Sequence, residues 1–319
     1  MNKRPISIII DDPAPGIHVY HHHIPSHLTN DGRYLQKTVP NSFLNTFSDV
    51  IQKHGIKGKF SAIPMAGCQG SMKDGFNGVS NEDVQTWINT VKQRIMPNFA
   101  ICSELLTHHY AYDMKGGFYP ENEQQWVATH SEDEITDYIA MSLQLLDEAG
   151  LTPTGVTSPW STGIECEPIY AAAISRAFKK VFDRNESWYF LHTADPEKKD
   201  TRPIVTRYHD GRSVVSIYAT FHDNFWQCIN TPDDSEEFIH SVADSYITDN
   251  GSDGLLVRQL DGGTGWPVLL THWQSQFSNG LWTGLKALDL VGERINKYLS
   301  SDVVWTDFTQ LMRLSLEDT

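Results

Sequence analysis

The sequence predicts an α/β fold, an irregular seven- or eight-stranded β/α barrel formed by a single domain over residues 1–319. Short β-branched or apolar runs alternate with amphipathic stretches that begin and end at capping signals. This alternation is typical of a parallel sheet with crossover helices. No linker rich in proline or serine, low-complexity tract or internal repeat interrupts the sequence, which favours one barrel over two doubly wound domains.

The predicted elements follow each other along the whole chain. Strands are expected over residues 5–10, 57–64, 99–107, 154–157, 188–192, 214–221, either 254–260 or 268–271, and 303–305. Helices are expected over about 41–53, 81–94, 131–150, 168–182 and 283–299, with one more beginning at Asp233 or Asp234. Ser131 and Glu134 have the spacing of a capping box at the start of the helix over 131–150.

The composition is that of a globular protein with excess negative charge. The formal net charge is −15, and aromatic residues, including nine Trp, make up 11% of the chain. Nucleic acids and anionic membranes are bound through clustered Lys and Arg, so this charge argues against both as partners. A neutral or amino-bearing substrate suits it better, and the sequence leaves the oligomeric state open.

Cysteine usage and the start of the chain indicate a cytoplasmic protein. The cysteines at positions 68, 102, 166 and 228 have neither zinc-finger nor redox spacing, so reduced thiols are expected. The first residues lead directly into an apolar strand without the features of a signal peptide. No run approaches the roughly 20 apolar residues that cross a bilayer.

Carboxylates and imidazoles recur where the predicted strands end. They are Asp11 and Asp12, His108 and His109 with Asp113, His192 with Asp195, His222 and Asp223, and His272. Active sites of β/α barrels lie at the carboxyl ends of the strands. Oxygen and nitrogen ligands of this kind suit one divalent metal ion, zinc or similar, which activates water while a second carboxylate removes its proton.

Each of these residues also has a structural interpretation. Paired Asp after a strand commonly forms a turn or caps a helix, and a strand-end His is commonly a hydrogen-bonded structural residue. The histidine-rich segment 18–27, which includes His22, is interpreted as an extended loop that is solvated or faces the substrate. Consecutive residues of such a loop point in different directions, so its three adjacent His do not form a ligand set.

The order of the motifs resembles the polysaccharide deacetylase superfamily, also described as the glycoside hydrolase/deacetylase β/α barrel. The resembling segments are 9–13 (a strand ending in two Asp), 58–64 (the next strand), 104–108 (the first half of a motif with two His four apart), 157–160 (Arg-x-Pro-Tyr or Trp), 270–272 (Leu-x-His) and the closing 304–308. The resemblance covers nearly the whole chain and implies the barrel fold.

The resemblance also implies roles. Asp11 would be the general base and His272 the general acid, and Asp12 and His108 would be metal ligands. Two motifs are altered. Tyr112 stands four residues after His108, where the family has His, and residues 157–160 lack the Arg that orients the base.

Asp113 stands four residues after His109, so both residues join the predicted ligand set as replacements for the missing histidine. Without the family's Arg, some other group must hold Asp11, or proton transfer will be slow. The sequence therefore predicts weak or narrow activity.

Three functions fit this pattern. The first is metal-dependent hydrolysis of an N-acetyl, O-acetyl or other amide or ester group on a carbohydrate. The second is a glycosidase in which Asp11 acts with Asp223 or Glu104. The third is a non-catalytic carbohydrate-binding protein. The predicted substrate contacts are Trp160, Pro159, His22, His222, Asp223 and Trp226, with Trp266 as a further stacking surface in the non-catalytic case.

Overall fold

The computed structural model describes residues 3–194 and 200–317. Its main sheet has nine strands. They are β1 Arg4–Asp11, β2 Gly58–Ala62, β3 Phe99–Ser103, β4 Gly155–Thr157, β5 Glu186–Phe190, β6 Ile204–Arg207, β7 Ser213–Ser216, β8 Val268–His272 and β9 Val303–Trp305. The spatial order is β6-β7-β5-β4-β3-β2-β1-β8, with β9 paired to β1. Every pair is parallel except β6 with β7, which confirms the predicted α/β class.

Eleven α-helices connect and flank these strands in the described part of the chain. They are α1 Val19–His23, α2 Asn41–His54, α3 Asn81–Thr90, α4 Glu123–Thr129, α5 Glu132–Glu148, α6 Glu167–Phe182, α7 Glu236–Tyr246, α8 Leu255–Gly262, α9 Trp273–Phe277, α10 Thr283–Arg294 and α11 Phe308–Glu317. The described helices include none with both the length and the apolar character needed to cross a membrane.

Short elements occupy the loops. Two-stranded pairs join Gly70–Ser71 to Gly75–Phe76, Tyr110–Tyr112 to Phe118–Asn122, and Asp200–Thr201 to Thr264–Gly265. The 3₁₀ turns are Ala66–Cys68, Ile164–Cys166, Asn224–Asn230 and Ser278–Gly280. The π turns Val91–Ile95 and Ile295–Leu299 extend α3 and α10.

Several predicted boundaries are corrected by the structure. Residues 254–260 fall mostly in helix α8, so the strand is the alternative at Val268–His272. Ser235 caps α7 by accepting a hydrogen bond from the Phe238 amide, so the predicted Asp233 or Asp234 cap was wrong. The capping box at Ser131 is confirmed. The histidine-rich segment, predicted as an extended loop, forms the short helix α1.

The sheet curves toward closure without a continuous ladder between its two ends. After β7 the chain approaches β8, where the Thr220 amide donates to the Val268 carbonyl at 2.9 Å. The Val268 amide in turn donates to Thr220 Oγ1 at 3.0 Å. Two residues, instead of a strand pair, bridge the opening in the described sheet.

Three hydrophobic clusters support this sheet. The first packs α2, α3, α7 and α10 beside β1 and β2, and the second packs α5 and α6 beside β4 and β5. The third contains Ile9, Cys102, Trp188 and Phe190 together with residues of α11. Because all strands but β6 run parallel, their carboxyl ends lie at one edge of the sheet, and the loops at this edge carry the polar groups described next.

Candidate active site

The two aspartates and the late histidine come together through strand pairing. Asp11 ends β1, and the register of β1 with β8 pairs it directly with His272. The preceding residues, Ile8, Ile9 and Ile10, are fully buried, so the apolar strand fixes where the polar end emerges. Residues 261 positions apart in the chain are therefore neighbours on adjacent strands.

Asp12, Glu104 and His108 form a buried group beside this pair. His108 Nε2 lies 2.9 Å from Asp12 Oδ1 and 3.4 Å from Glu104 Oε1. The backbone amide of Asp12 donates to Glu104 Oε2 at 2.7 Å. Each residue offers one ligand atom, and these atoms all lie within 4.8 Å of one another. Two carboxylate oxygens and one imidazole nitrogen are donors that zinc and similar divalent ions accept.

The hydrogen bonding of this group fits a metal ion. Asp12 Oδ1 is buried and has no hydrogen-bond partner among the described residues, although His108 Nε2 is close. Gln274 Nε2 donates to the other oxygen, Oδ2, which fixes the carboxylate plane. A buried acceptor without a donor is costly, and a cation bound between Asp12 and His108 would satisfy it.

The electrostatics of the group also favour a cation. Burial and the negative charges of Asp12 and Asp11 raise the pKa of Glu104 well above its usual range. Burial alone would raise the pKa of Asp12 as well, but the adjacent His108 outweighs it and lowers that pKa below the usual range. Three carboxylates lie close together here, so a bound cation would lower their mutual repulsion.

Strained backbone presents these side chains. Asp12, Leu105, His108 and Trp160 all have positive φ, between 46° and 71°. Such conformations cost non-glycine residues free energy and tend to cluster at functional sites. Asp12 directly follows the end of β1, and Leu105 turns the chain two residues after β3, which is why the strand predicted over 99–107 stops at Ser103.

A buried glutamate holds the turn that carries His108. Glu123 is fully buried at the start of α4. Its Oε1 accepts from the amides of Leu106 and Thr107, each at 2.9 Å, and its Oε2 accepts from the amide of His108 at 2.8 Å. The Tyr138 hydroxyl also donates to Oε1, at 2.8 Å. One carboxylate therefore satisfies three successive amides of the strained turn.

Asp11 is held by two side chains from the neighbouring strand β2. Lys59, from β2, donates to Asp11 Oδ1, and the Ser61 hydroxyl donates to the same oxygen at 2.6 Å. Lys59 also donates to Thr157 Oγ1 on β4. The sequence predicts Lys59 only as part of the second strand and does not reveal its contact with Asp11. A lysine inside an otherwise apolar strand was the signal that could have revealed it.

His272 is held by Asp223. The imidazole Nδ1 lies 2.8 Å from Asp223 Oδ2, which also accepts from the His272 amide at 3.1 Å and from the Ser275 hydroxyl at 2.9 Å. Burial lowers the pKa of His272, but Asp223 and the more distant Asp12 and Asp11 outweigh it and raise the pKa to about 9. At neutral pH this histidine therefore carries a proton that it can donate.

Stability is expected to depend on pH through His272. Its folded-state pKa, about 9, lies above the ordinary 6.5, so the stabilisation is fully present below about pH 6.5 and is lost as the pH rises through about 9. In chelator-treated protein, the difference in unfolding free energy between wild type and His272→Gln should therefore shrink over this interval, as measured by urea denaturation. In an Asp223→Asn background, the unfolding free energy lost on His272→Gln should depend less on pH than it does in the wild type. Parallel profiles for wild type and His272→Gln would contradict the assignment.

The structure does not bring the other two predicted ligands into the metal group. Asp113 lies in the turn of the Tyr110–Tyr112 hairpin, where its Oδ1 accepts from the Lys115 amide at 2.9 Å. His109 Nδ1 accepts from the Tyr110 amide at 2.8 Å, and its Nε2 lies 3.1 Å from the His22 carbonyl. Glu104, which the sequence presents only as a candidate glycosidase carboxylate, is the third member of the buried group with Asp12 and His108.

Of the predicted substrate contacts, Trp160 and Trp226 lie beside the polar group, whereas His222 has no described contact with it. Trp160 is 46% exposed, and its ring meets that of His108 edge-on at 4.6 Å between centroids. Trp226 packs edge-on against His272 at 5.0 Å. Both rings thus border the polar group, with Trp226 also packed edge-on against Tyr20 at 5.2 Å. His222 is exposed, without a described contact to the group.

The remaining predicted residues have structural partners or lie outside the described chain. Pro159 is buried, and its carbonyl accepts from the Thr162 amide and hydroxyl. His22 is half-buried, and its carbonyl contacts His109. Asp223 positions His272, as described above. His192 lies 2.9 Å from Glu167 Oε1. Asp195 falls outside the described residues.

Comparison with solved structures identifies the fold. The "putative polysaccharide deacetylase" from Mycobacterium smegmatis superposes with a TM-score of 0.56 at 12% sequence identity, over 99% of this chain and 92% of that one. The fold is that of the polysaccharide deacetylases. Within this fold the pairing of β1 with β8 places Asp11 beside His272, and Asp12, Glu104 and His108 form the buried group next to Asp11.

Other similar structures have lower TM-scores. A family 4 carbohydrate esterase from Streptomyces lividans in complex with acetate matches at 0.40 and 9% identity, over 81% of this chain and 84% of that one. A CE4 family pseudoenzyme from Bacillus anthracis matches at 0.43 and 13% identity, over 98% and 66%. No protein-family model and no curated protein sequence matches the chain.

Proposed function

We propose that this protein with the polysaccharide-deacetylase fold is a metal-dependent carbohydrate deacetylase that removes N-acetyl or O-acetyl groups. One observation supports this most. A held carboxylate, Asp11, and a protonated histidine, His272, stand in register on adjacent strands beside the buried Asp12, Glu104 and His108. Acyl hydrolysis needs a base, an acid and a site that stabilises negative charge, and this arrangement provides candidates for all three.

The roles follow from the surroundings of each group. Asp11 accepts a proton from the attacking water, and His272 donates one to the leaving amine or hydroxyl. Asp12, Glu104 and His108 would hold a divalent ion, which when bound would lower the pKa of water and polarise an acyl oxygen. Trp160 offers an exposed face on which a sugar ring can stack. The similar M. smegmatis protein, described as a "putative polysaccharide deacetylase", supports this substrate class.

Glycoside hydrolysis is less well supported, since both alternative carboxylates are engaged. Asp223 Oδ1 accepts from the Phe225 amide at 2.9 Å, while Oδ2 accepts from His272 and Ser275. Glu104 is buried and accepts from the Asp12 amide. Asp223 therefore has both oxygens engaged, and Glu104 lies within the buried group with Asp12 and His108, so neither stands as the separate acid or nucleophile that a glycosidase requires.

The direct test is a parallel assay of two products. Metal-loaded protein is incubated with acetylated oligosaccharides and aryl glycosides, and released acetate and released sugar are measured together. Acetate release that is lost in Asp11→Asn while the metal is retained is the expected result, with a loss of about 10²–10⁴-fold. Sugar release would instead favour a glycosidase. Binding of oligosaccharide with neither product would favour a non-catalytic carbohydrate-binding protein.

A further inference from the structure

We infer that Lys59 is the positioning residue that orients Asp11 for proton transfer, an inference that rests on the deacetylase function proposed above. Lys59 lies on β2 with no solvent exposure. Lysine is almost never fully buried unless its charge is paired, because removing an ammonium from water is costly. Its partner here is Asp11, the proposed base.

The ammonium is fixed in three directions. It donates to Asp11 Oδ1, to Ser61 Oγ at 2.6 Å and to Thr157 Oγ1. These three bonds use all three of its hydrogens. The Phe190 ring lies 4.7 Å from Nζ and adds a cation–π contact. These contacts restrict the Lys59 side chain to one conformation.

The same contacts orient the carboxylate. Lys59 and Ser61 alternate along β2, so both side chains project from one face of the strand and converge on Asp11 Oδ1. Oδ2 has no hydrogen-bond partner among the described residues. Because one oxygen is held by two donors, the other is left as the oxygen that accepts the proton.

The position of Lys59 explains how the site works without the missing arginine. Thr157 stands where residues 157–160 would carry Arg in the resembling motif, and the Lys59 ammonium donates to this threonine's hydroxyl. The cation that faces Asp11 therefore comes from β2 instead of β4. Cys102 Sγ, 3.3 Å from Ser61 and 3.4 Å from Thr157, packs beside the hydroxyls in the same buried network.

The test is a double-mutant cycle on acetate release. Lys59→Met should lower kcat roughly 10²-fold while KM changes little, because proton transfer depends on geometry and substrate contacts remain. In the Asp11→Asn background the same substitution should have almost no further effect on kcat. Metal content should match wild type in all variants, and Lys57→Met, on the same segment, should keep wild-type kcat.

A reciprocal variant guards against failure of Lys59→Met to fold. The double variant Lys59→Ala/Thr157→Arg returns a cation to Asp11 from β4. Its kcat should be about tenfold or more above that of Lys59→Ala alone. Three results would overturn the role of Lys59 while leaving acetate release by the wild type intact. They are a wild-type kcat in Lys59→Met, an equal loss of kcat when Lys59→Met is added to Asp11→Asn, and no recovery of kcat in the reciprocal variant. No acetate release by wild type would overturn the deacetylase function and this role with it.

Discussion

Alanine at Asp12 or at His108 is expected to remove the divalent metal from the protein. Each substitution deletes one of three ligand atoms that lie within 4.8 Å of one another. The loss of affinity should exceed the roughly 10–100-fold typical for removing a group that only supports a ligand. Elemental analysis of protein purified without an affinity tag, together with a zinc titration, measures it directly.

The matched controls are Asp113 and His109, which the sequence predicts as metal ligands but which lie outside the buried group of Asp12, Glu104 and His108 in the structure. Asp113→Ala and His109→Ala should keep the wild-type metal content, since their side chains bond to nearby backbone. Glu104→Gln should weaken binding. Equal metal content in wild type, Asp12→Ala and His108→Ala would rule out this site.

Glu123→Ala is expected to destabilise the fold and to weaken metal binding together. The substitution leaves the amides of Leu106, Thr107 and His108 without their buried acceptor. Unsatisfied buried groups cost about 1–3 kcal/mol each, and partial entry of water reduces the sum, so a loss of about 3–5 kcal/mol in unfolding free energy is expected. Urea denaturation measures this loss.

Zinc affinity distinguishes a displaced His108 from a general loss of stability in Glu123→Ala. Because Glu123 anchors the backbone of His108, Glu123→Ala should also lower zinc affinity about 10–100-fold under native conditions. Glu121→Ala, an exposed residue shortly before α4, should change stability by no more than about 0.5 kcal/mol and leave affinity unchanged. Destabilisation with wild-type affinity would show that the Glu123 bonds do not position His108.

The sequence determined where the polar residues stand along the chain. Apolar runs such as Ile8 to Ile10 must be buried, and the first polar residues after them mark the strand end. This physical constraint placed Asp11, Asp12 and His272 at the same edge, because parallel strands share their carboxyl ends. The alternation of strands and helices likewise determined the α/β class.

Only the tertiary structure decided which side chains meet there. Sequence spacing favoured Asp113, but positive φ at Leu105 and His108 turns the chain so that Glu104 and His108 lie together with Asp12. Asp113 instead lies in the turn of a hairpin. Lys59 and Asp223 became partners of Asp11 and His272 through contacts between strands and loops 48 and 49 residues apart. Such contacts depend on backbone turns and side-chain rotation in three dimensions, which local periodicity does not encode.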